Sequence, residues 1–388
     1  AYNVLHGDDG SKSVDDKLFK KSREIRNSGI AFLTADKASR VALNSKIKNY
    51  PLNSTPMDVS TVSDIDRLQN GRKKHHLSEI TVLKSDKRYV YGVPAYNNFK
   101  KEVVFNVDDL QADCQNGFIT YDPDVDNTTN NKSGQSHYFS STKTPAYAYS
   151  FLLSSVLSEE YVDVTGNGPT PDDLGDYTRF NYTRVHDDYR WRSPYRKNKA
   201  NYQENQYSLD NDNMANYAYG SKEIWYINSI ESRNYVAKFI VTDREDGLGV
   251  IDENGGRDQS QKLKKLSRIE LYTRAELNKN GNNATPLKTI HFEYKYELAK
   301  GIPNHMNPGS GKLTLKSVYF TYGNSKKGKF SPYSFEYFQG SSNPDYTLKS
   351  NDRFGFYKPN SCNSNQMTNA EYPYVDHNKS DRDQYIKA

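Results

Sequence analysis

The sequence predicts a mainly β chain, in which antiparallel, Tyr-rich β-hairpins form a wound sheet or shell-like array behind a short helical N-terminal segment. Three observations predict it. Apolar and polar residues alternate along several stretches between residues 176 and 340, the period-two pattern of strands with one wet face. Stretches rich in turn formers separate these runs with no helical period between them, as in antiparallel folds. The chain also holds 32 Tyr against 16 Phe and 2 Trp, while only 35 % of its 388 residues are hydrophobic. Burial must then rely on rings that carry a polar tip.

Taken in order, residues 1–76 read as a helical or irregular lead-in. Val14, Leu18 and Phe19 have helix spacing, and Ala35 to Ile47 is rich in helix formers. Residues 77–145 read as a small β region with a long polar loop. Within it, Tyr89 and Tyr91 share one face of a strand that Gly92-Val93-Pro94 ends, and Val103, Phe105 and Val107 share a face of the next. Two strands so spaced suggest a hairpin. Residues 122–136 are rich in Asp, Asn, Ser and Thr, with Val125 the only sizeable apolar residue, and read as a long exposed loop.

Residues 146–388 carry the hairpin array. Ile290, Phe292, Tyr294, Tyr296 and Leu298 alternate with His291, Glu293, Lys295 and Glu297. Tyr235, Ala237, Phe239 and Val241 alternate likewise, as do Ile269 and Leu271. In Leu313 to Tyr322 the apolar set shifts from odd to even positions, which a β-bulge near Ser317 reconciles. Turn formers gather at Asn278–Asn283, Gly301–Gly311, Gly323–Gly328 and Gly340–Pro344. Phe292-Glu293-Tyr294, Phe320-Thr321-Tyr322 and Phe335-Glu336-Tyr337 repeat one form without a fixed period. Three strands of one sheet facing a common core would explain them. A wound array stacking Tyr and Phe over a long distance is preferred, because Tyr so outnumbers aliphatic packing.

Composition excludes several classes. No run of about 18 apolar residues exists, the aromatic content argues against disorder throughout, and Cys114 and Cys362 cannot build a cystine scaffold. A net charge of +5 is small for this length, and the basic clusters Arg72-Lys73-Lys74 and Arg190 to Lys197 sit among nearly as many acids. Nucleic acid is therefore not an expected partner. The chain opens Ala1-Tyr2-Asn3 without an apolar signal segment and closes at Ile386-Lys387-Ala388. It reads as a processed product or as a piece of a larger polypeptide.

Two groups of residues are candidates for binding. In Asp163-Val164-Thr165-Gly166-Asn167-Gly168, oxygen side chains fall at positions 1, 3 and 5 with Gly at 6, as in a calcium loop. Asp163, Thr165, Asn167 and Asp173 would be the ligands of Ca2+. Position 12 is Leu174 where a bidentate Glu belongs, and Gly-Asn-Gly also makes ordinary turns, so a plain turn leads. Asp122, Asp124 and Asp126 repeat the spacing without the Gly. Tyr189, Trp191 and Tyr195 could stack on a glycan or hold a protein partner, although aromatics interleaved with Arg also pack strands together. No His-X-X-X-His, Cys-X-X-Cys or Gly-X-Ser-X-Gly motif occurs. His75 and His76 are adjacent and suit no shared metal, and His291 sits on a wet strand face. No catalytic residue stands out, and carboxylate pairs for glycoside hydrolysis, being distant in sequence, are not legible here.

One stretch carries a resemblance. Ser331-Pro332-Tyr333-Ser334-Phe335-Glu336-Tyr337, then Asn343-Pro344-Asp345-Tyr346, then Asn351-Asp352-Arg353-Phe354-Gly355-Phe356-Tyr357 resembles the "PPYxFEY … DxWGYYN" signature early in Rhs/YD-repeat proteins of Bacteroidota. Phe354 stands where that pattern has Trp, Phe356 where it has Tyr, and Lys358 where Asn is common. Leu266 to Tyr272, Lys288 to Tyr294 and Asp173 to Phe180 look like its lead-in, so the resemblance spans about residues 145–388. It implies a segment of a large secreted or surface-exposed shell protein of a Gram-negative bacterium, linked to the outer membrane or to type IX secretion and enclosing or presenting a C-terminal effector domain. Its partners would be the rest of its own polypeptide and outer-membrane or secretion machinery. The family's autoproteolytic motif lies far C-terminal and is absent, so no catalytic residue carries over. The expected role is structural and without catalysis. The alternatives are an extracellular calcium-braced module for a glycan or protein partner and, behind it, a carbohydrate-active enzyme.

Overall fold

The computed structural model describes residues 28–69, 71–108, 112–113, 117–203, 213–338, 343–348, 354 and 356. The helix expected around Val14–Phe19, both cysteines, and most of the stretch from Asn351 to Tyr357 lie outside them. Strand accounts for 54 % and helix for 8 %, so the chain is mainly β.

The described elements begin with β1 (Ser28–Thr34), α1 (Ala35–Val41), β2 (Ile47–Asn49) and β3 (Ser63–Ile65). Then come β4 (Leu77–Lys84), β5 (Lys87–Tyr91), β6 (Val93–Asn106), β7 (Ala112–Asp113) and β8 (Phe118–Thr120), followed by β9 (Phe139–Thr144), β10 (Tyr147–Leu152) and β11 (Ser155–Ser158). The long strands are β12 (Tyr177–Ser193), β14 (Met214–Ser232), β15 (Tyr235–Asp252) and β16 (Gly255–Thr273), with the short β13 (Lys199–Gln203) between the first two. Helix α2 (Arg274–Asn280), β17 (Lys288–Leu298), β18 (Lys312–Tyr322) and β19 (Tyr333–Ser334) close the order.

Strand β14 is the spine. Along one edge it meets β13 at Met214–Asn216 and β12 from Ala218 to Ser232. Along the other it meets β6 from Met214 to Lys222 and β15 at Ser229–Glu231. Beyond β12 the sheet continues through β11, β5 and β4 to β1. Beyond β15 it continues through β16, β17 and β18 to β19. All these pairings are antiparallel, as the alternation predicts. A small ribbon of β2 and β3 stands apart from this sheet.

Several local expectations change. The helix from Ala35 ends at Val41, capped by the Thr34 hydroxyl on the Lys37 N–H, and Ala42 turns extended. Helix there would keep Ile47 out of the apolar cluster it forms with Ile65 and Val93. The predicted hairpin of β5 and β6 does not form. β5 pairs with β4 and β11, whereas β6 pairs with β9, β10 and β14. Gly92 alone separates the two strands, and Val93 and Pro94 lie inside β6 opposite Leu152 and Phe151. Pro is tolerated because β14 pairs with β6 only as far as Asn97, so no ladder bond on that side needs its N–H. Asn278–Asn280 finish α2, capped by Thr273, before a short 3₁₀ turn. The bulge near Ser317 is present: Ser317 faces Glu293 and Leu315 faces Tyr294, so Lys316 is the extra residue.

The loop of residues 122–136 is folded by its side chains. Asn127 and Asn131 are buried, and Asn131 donates to the Asn106 carbonyl at 2.9 Å. Val125 remains exposed. The apolar interior is divided into patches. The largest lies between β6, β8, β13 and β14 and contains Val103, Phe105, Ile119, Tyr121, Ala200, Ala215 and Tyr217.

Candidate functional site

The Asp163 loop is closed by a bridge between Val162 and Leu174. Asp163 accepts the Gly166 N–H at 2.7 Å on one carboxylate oxygen and the Gly168 N–H at 2.9 Å on the other. Asp173 is buried; it accepts the Val164 N–H at 3.0 Å, the Thr170 N–H at 2.8 Å and the Tyr161 hydroxyl at 2.7 Å. Thr165 donates to Asp172 at 3.1 Å, and Asn167 accepts from Thr170 at 3.2 Å. Burial opposes ionisation of Asp173, but the Thr170 N–H, the Tyr161 hydroxyl and the Val164 N–H together hold its carboxyl below the usual range. The four residues picked from sequence thus share one loop, and its own donors engage the carboxylates of Asp163 and Asp173. Gly168 (φ +86°) packs so closely on Asn44 that a Cβ would lie 2.3 Å from its Oδ1. Among the described residues no group of three or more His, Cys, Asp or Glu is placed to hold a metal ion.

Tyr189, Trp191 and Tyr195 follow one another along β12 and its exit. Tyr189 is buried and donates to the Gly247 carbonyl at 3.3 Å; Tyr195 donates to the Gly249 carbonyl at 2.8 Å. Trp191 lies against Gly220 of β14, where a Cβ would sit 2.9 Å from the indole. Two of the three rings therefore tie β12 to β15 and the third packs on β14. Arg192 between them is buried, with its guanidinium 4.4 Å from the centre of the Tyr217 ring. It donates to the carbonyls of Glu253 at 2.6 Å and Lys199 at 2.8 Å.

Two buried carboxylates join distant parts of the sheet. Glu223 accepts from Arg72 at 2.7 and 2.8 Å, Arg184 at 3.0 Å, the Tyr96 N–H at 3.1 Å and the Trp225 indole at 3.0 Å. Glu231, fully buried, accepts from Arg179 at 2.6 Å, Asn181 at 2.5 Å and Arg274 at 3.0 Å. These acids are met by arginines from β12, from α2 and from the segment before β4, together with neutral donors, an arrangement that fixes these elements to β14. His291 is half-buried, stacked on Tyr319 at 4.5 Å and 2.9 Å from the Thr321 hydroxyl. Its wet-face placement hid that stack.

Two concavities bear on binding. A pocket of about 290 Å³ lies between the β2–β3 ribbon and β12, lined by Tyr50, Asp64, Arg179, Tyr182 and, from the Asp163 loop, Asn167 and Thr170. Most of its charges are paired: Lys48 with Asp64 at 2.7 Å, Arg179 with Glu231 and Arg67 with Glu79 at 3.6 Å. Burial pushes the Tyr182 hydroxyl up to about 12. The second, of about 590 Å³, lies where the β12–β13 connection meets the β15–β16 turn and the loop after β17. Tyr195, Arg196, Lys197 and Arg257 line it together with Ile302 and Pro303. Arg196 and Lys197 belong to a basic run visible in the sequence. Arg257 comes from β16, and nothing in the linear sequence connects it to them.

No family model, curated protein or solved structure matches this chain.

Proposed function

We propose that this chain is a non-catalytic structural segment of a large Rhs/YD-repeat-like shell protein, secreted or exposed at the surface of a Gram-negative bacterium. Its hairpins would form part of a wall that encloses or presents an effector domain. The supporting observation is the β18–β19 end of the sheet. Among the described residues β19 pairs over two residues, Ser334 with Ser317 and Tyr333 with Val318, and beyond it the Phe335 N–H reaches the Lys316 carbonyl at 2.8 Å. Phe330 is 87 % exposed, Tyr333 66 % and Phe338 85 %, and Phe320 and Tyr333 meet edge to face at 6.0 Å. A strand edge that the described residues leave largely open, beside exposed rings, is a surface that proteins ordinarily cover. A further hairpin of the same wall would cover both.

Cryo-electron microscopy of the intact gene product tests this reading. The expected result is a strand hydrogen-bonded along β18 with the rings of Phe330 and Phe338 under neighbouring hairpins. A product in which that edge and those rings face solvent, with no shell around them, removes the proposal.

A further inference from the structure

We infer that the pocket formed by Tyr195, Arg196, Lys197 and Arg257 binds the carboxylate- or sulfate-bearing sugars of an acidic glycan. The inference stands apart from the shell reading and does not depend on it. Three cationic side chains line one pocket of about 590 Å³, a volume within the roughly 300–1,000 Å³ typical of ligand sites. All three are exposed. Among the described residues, none of them is ion-paired, while fifteen other Lys or Arg contacts with acids hold charges elsewhere in the fold. Among the described residues no carboxylate lines the pocket. Asp258, the residue after Arg257 on β16, has its carboxylate drawn away to Arg190 at 3.1 Å and to Ser260.

The cations are held on fixed backbone. Gly255 (φ +88°) brings the β15–β16 turn against the carbonyls of Tyr195 and Arg196, where a Cβ would lie 2.9 and 3.0 Å away. Arg257 donates through Nε to the Pro303 carbonyl at 2.8 Å, which ties the loop after β17 to β16. Its terminal nitrogens have no partner among the described residues. The Arg196 guanidinium lies 5.4 Å from the centre of the Phe118 ring.

The rest of the lining decides the ligand class. Tyr195, with its hydroxyl engaged by Gly249, and Ile302, Pro303 and Pro308 present apolar surface beside the charges. A bare inorganic anion would use only the cations, whereas an acidic sugar offers carbon faces to the apolar wall and oxygens to the guanidinium groups. A nucleic-acid strand needs a basic tract along the surface, and this chain has a net charge of only +5 with its cations otherwise interspersed with acids.

Calorimetric titration of the purified chain tests the inference with hexagalacturonate and a chondroitin sulfate hexasaccharide as probes. Cellohexaose, inorganic phosphate and a short single-stranded DNA serve as comparisons. Binding of at least one acidic oligosaccharide is expected, weakening as salt is raised. Arg257→Gln and Lys197→Glu should each weaken it about tenfold, as expected when one charge-assisted contact is lost. Lys327→Glu, a charge reversal on the exposed turn after β18, should leave it unchanged. Lys197 is exposed and its side chain makes no hydrogen bond or ion pair among the described residues, so its variant separates binding from folding. The inference fails if neither acidic oligosaccharide binds, if both variants bind as the parent does, or if cellohexaose, phosphate or DNA binds as tightly.

Discussion

Arg72 donates to both carboxylate oxygens of Glu223, at 2.7 and 2.8 Å, and brings together residues 151 apart in sequence, each almost wholly buried. The Arg72 guanidinium also lies 4.5 Å from the centre of the Tyr96 ring, and the Tyr96 N–H donates to the same carboxylate. Glu223 thereby fastens the segment before β4 to the spine strand and to β6. Removing one partner of a buried pair leaves an uncompensated charge.

Glu223→Gln should therefore cost about 3–5 kcal/mol of unfolding free energy, because Arg72 and Arg184 would lose their counter-charge together. Urea unfolding followed by far-ultraviolet circular dichroism measures it. Arg72→Met should cost less, since Arg184 still neutralises Glu223 at 3.0 Å. A loss under about 1 kcal/mol for Glu223→Gln, the scale of an exposed pair, would show that water screens this site.

Acid should weaken the fold through Glu231 and Asp246. Burial opposes ionisation of Glu231, but Arg179, Asn181 and Arg274 outweigh it and hold the carboxyl below its ordinary value. For Asp246 burial is likewise overcome, by Arg244 and the Leu313 N–H. Carboxyls depressed in the folded state stabilise it above their unfolded pKa, about 4, and lose that contribution as pH falls through the folded value. The contribution of these two carboxyls should be level from about pH 7 to 5 and fall below that, by about 1.4 kcal/mol per pH unit for each proton taken up on unfolding. Asp246→Asn should make that acid limb shallower in denaturant midpoints measured across pH. An unchanged slope would assign acid sensitivity to other groups.

The hydroxyls of Tyr189 and Tyr195 donate to alternate carbonyls of β15, those of Gly247 and Gly249. Tyr189→Phe should destabilise by about 1 kcal/mol, the net value of a typical hydrogen bond. Tyr195→Phe should cost about the same while leaving the ring in the basic pocket. Thermal and urea melts of the two single variants and the double variant suffice to check this. If neither melt moves, these rings do not tie the strands through their hydroxyls.

Sequence periodicity showed where the strands are but not which strands meet. The alternation of Ile290 to Leu298 and the phase shift at Ser317 are local, and each predicted a strand or bulge that is there. Pairing across the spine is set by contacts such as Arg72 with Glu223 and Arg179 with Glu231, 151 and 52 residues apart. No local pattern records them. The false hairpin of β5 and β6 arose for the same reason: proximity in sequence suggested a partner, while the apolar face of β6 matched β14. At the basic pocket, Arg196 and Lys197 were legible as a run, but Arg257 reaches it only because the β15–β16 turn folds back onto Tyr195.

The Asp163 loop gives the last expected outcome. Its Asp163 and Asp173 carboxylates accept six hydrogen bonds, from the N–H groups of Gly166, Gly168, Val164 and Thr170 and the hydroxyls of Thr170 and Tyr161. A calcium ion needs six to eight oxygen ligands around it, and Asp173 could join only by giving up donors that close the loop. EDTA should therefore leave the melting temperature unchanged, and calorimetry with calcium chloride should show no saturable heat. Asp173→Asn should destabilise the chain by about 1–3 kcal/mol, because the amide replaces an acceptor oxygen with a donor and leaves a buried N–H or hydroxyl unpaired. Saturable calcium binding abolished by Asp163→Ala would instead establish a calcium-braced loop, with Thr165 and Asn167 completing the ligands.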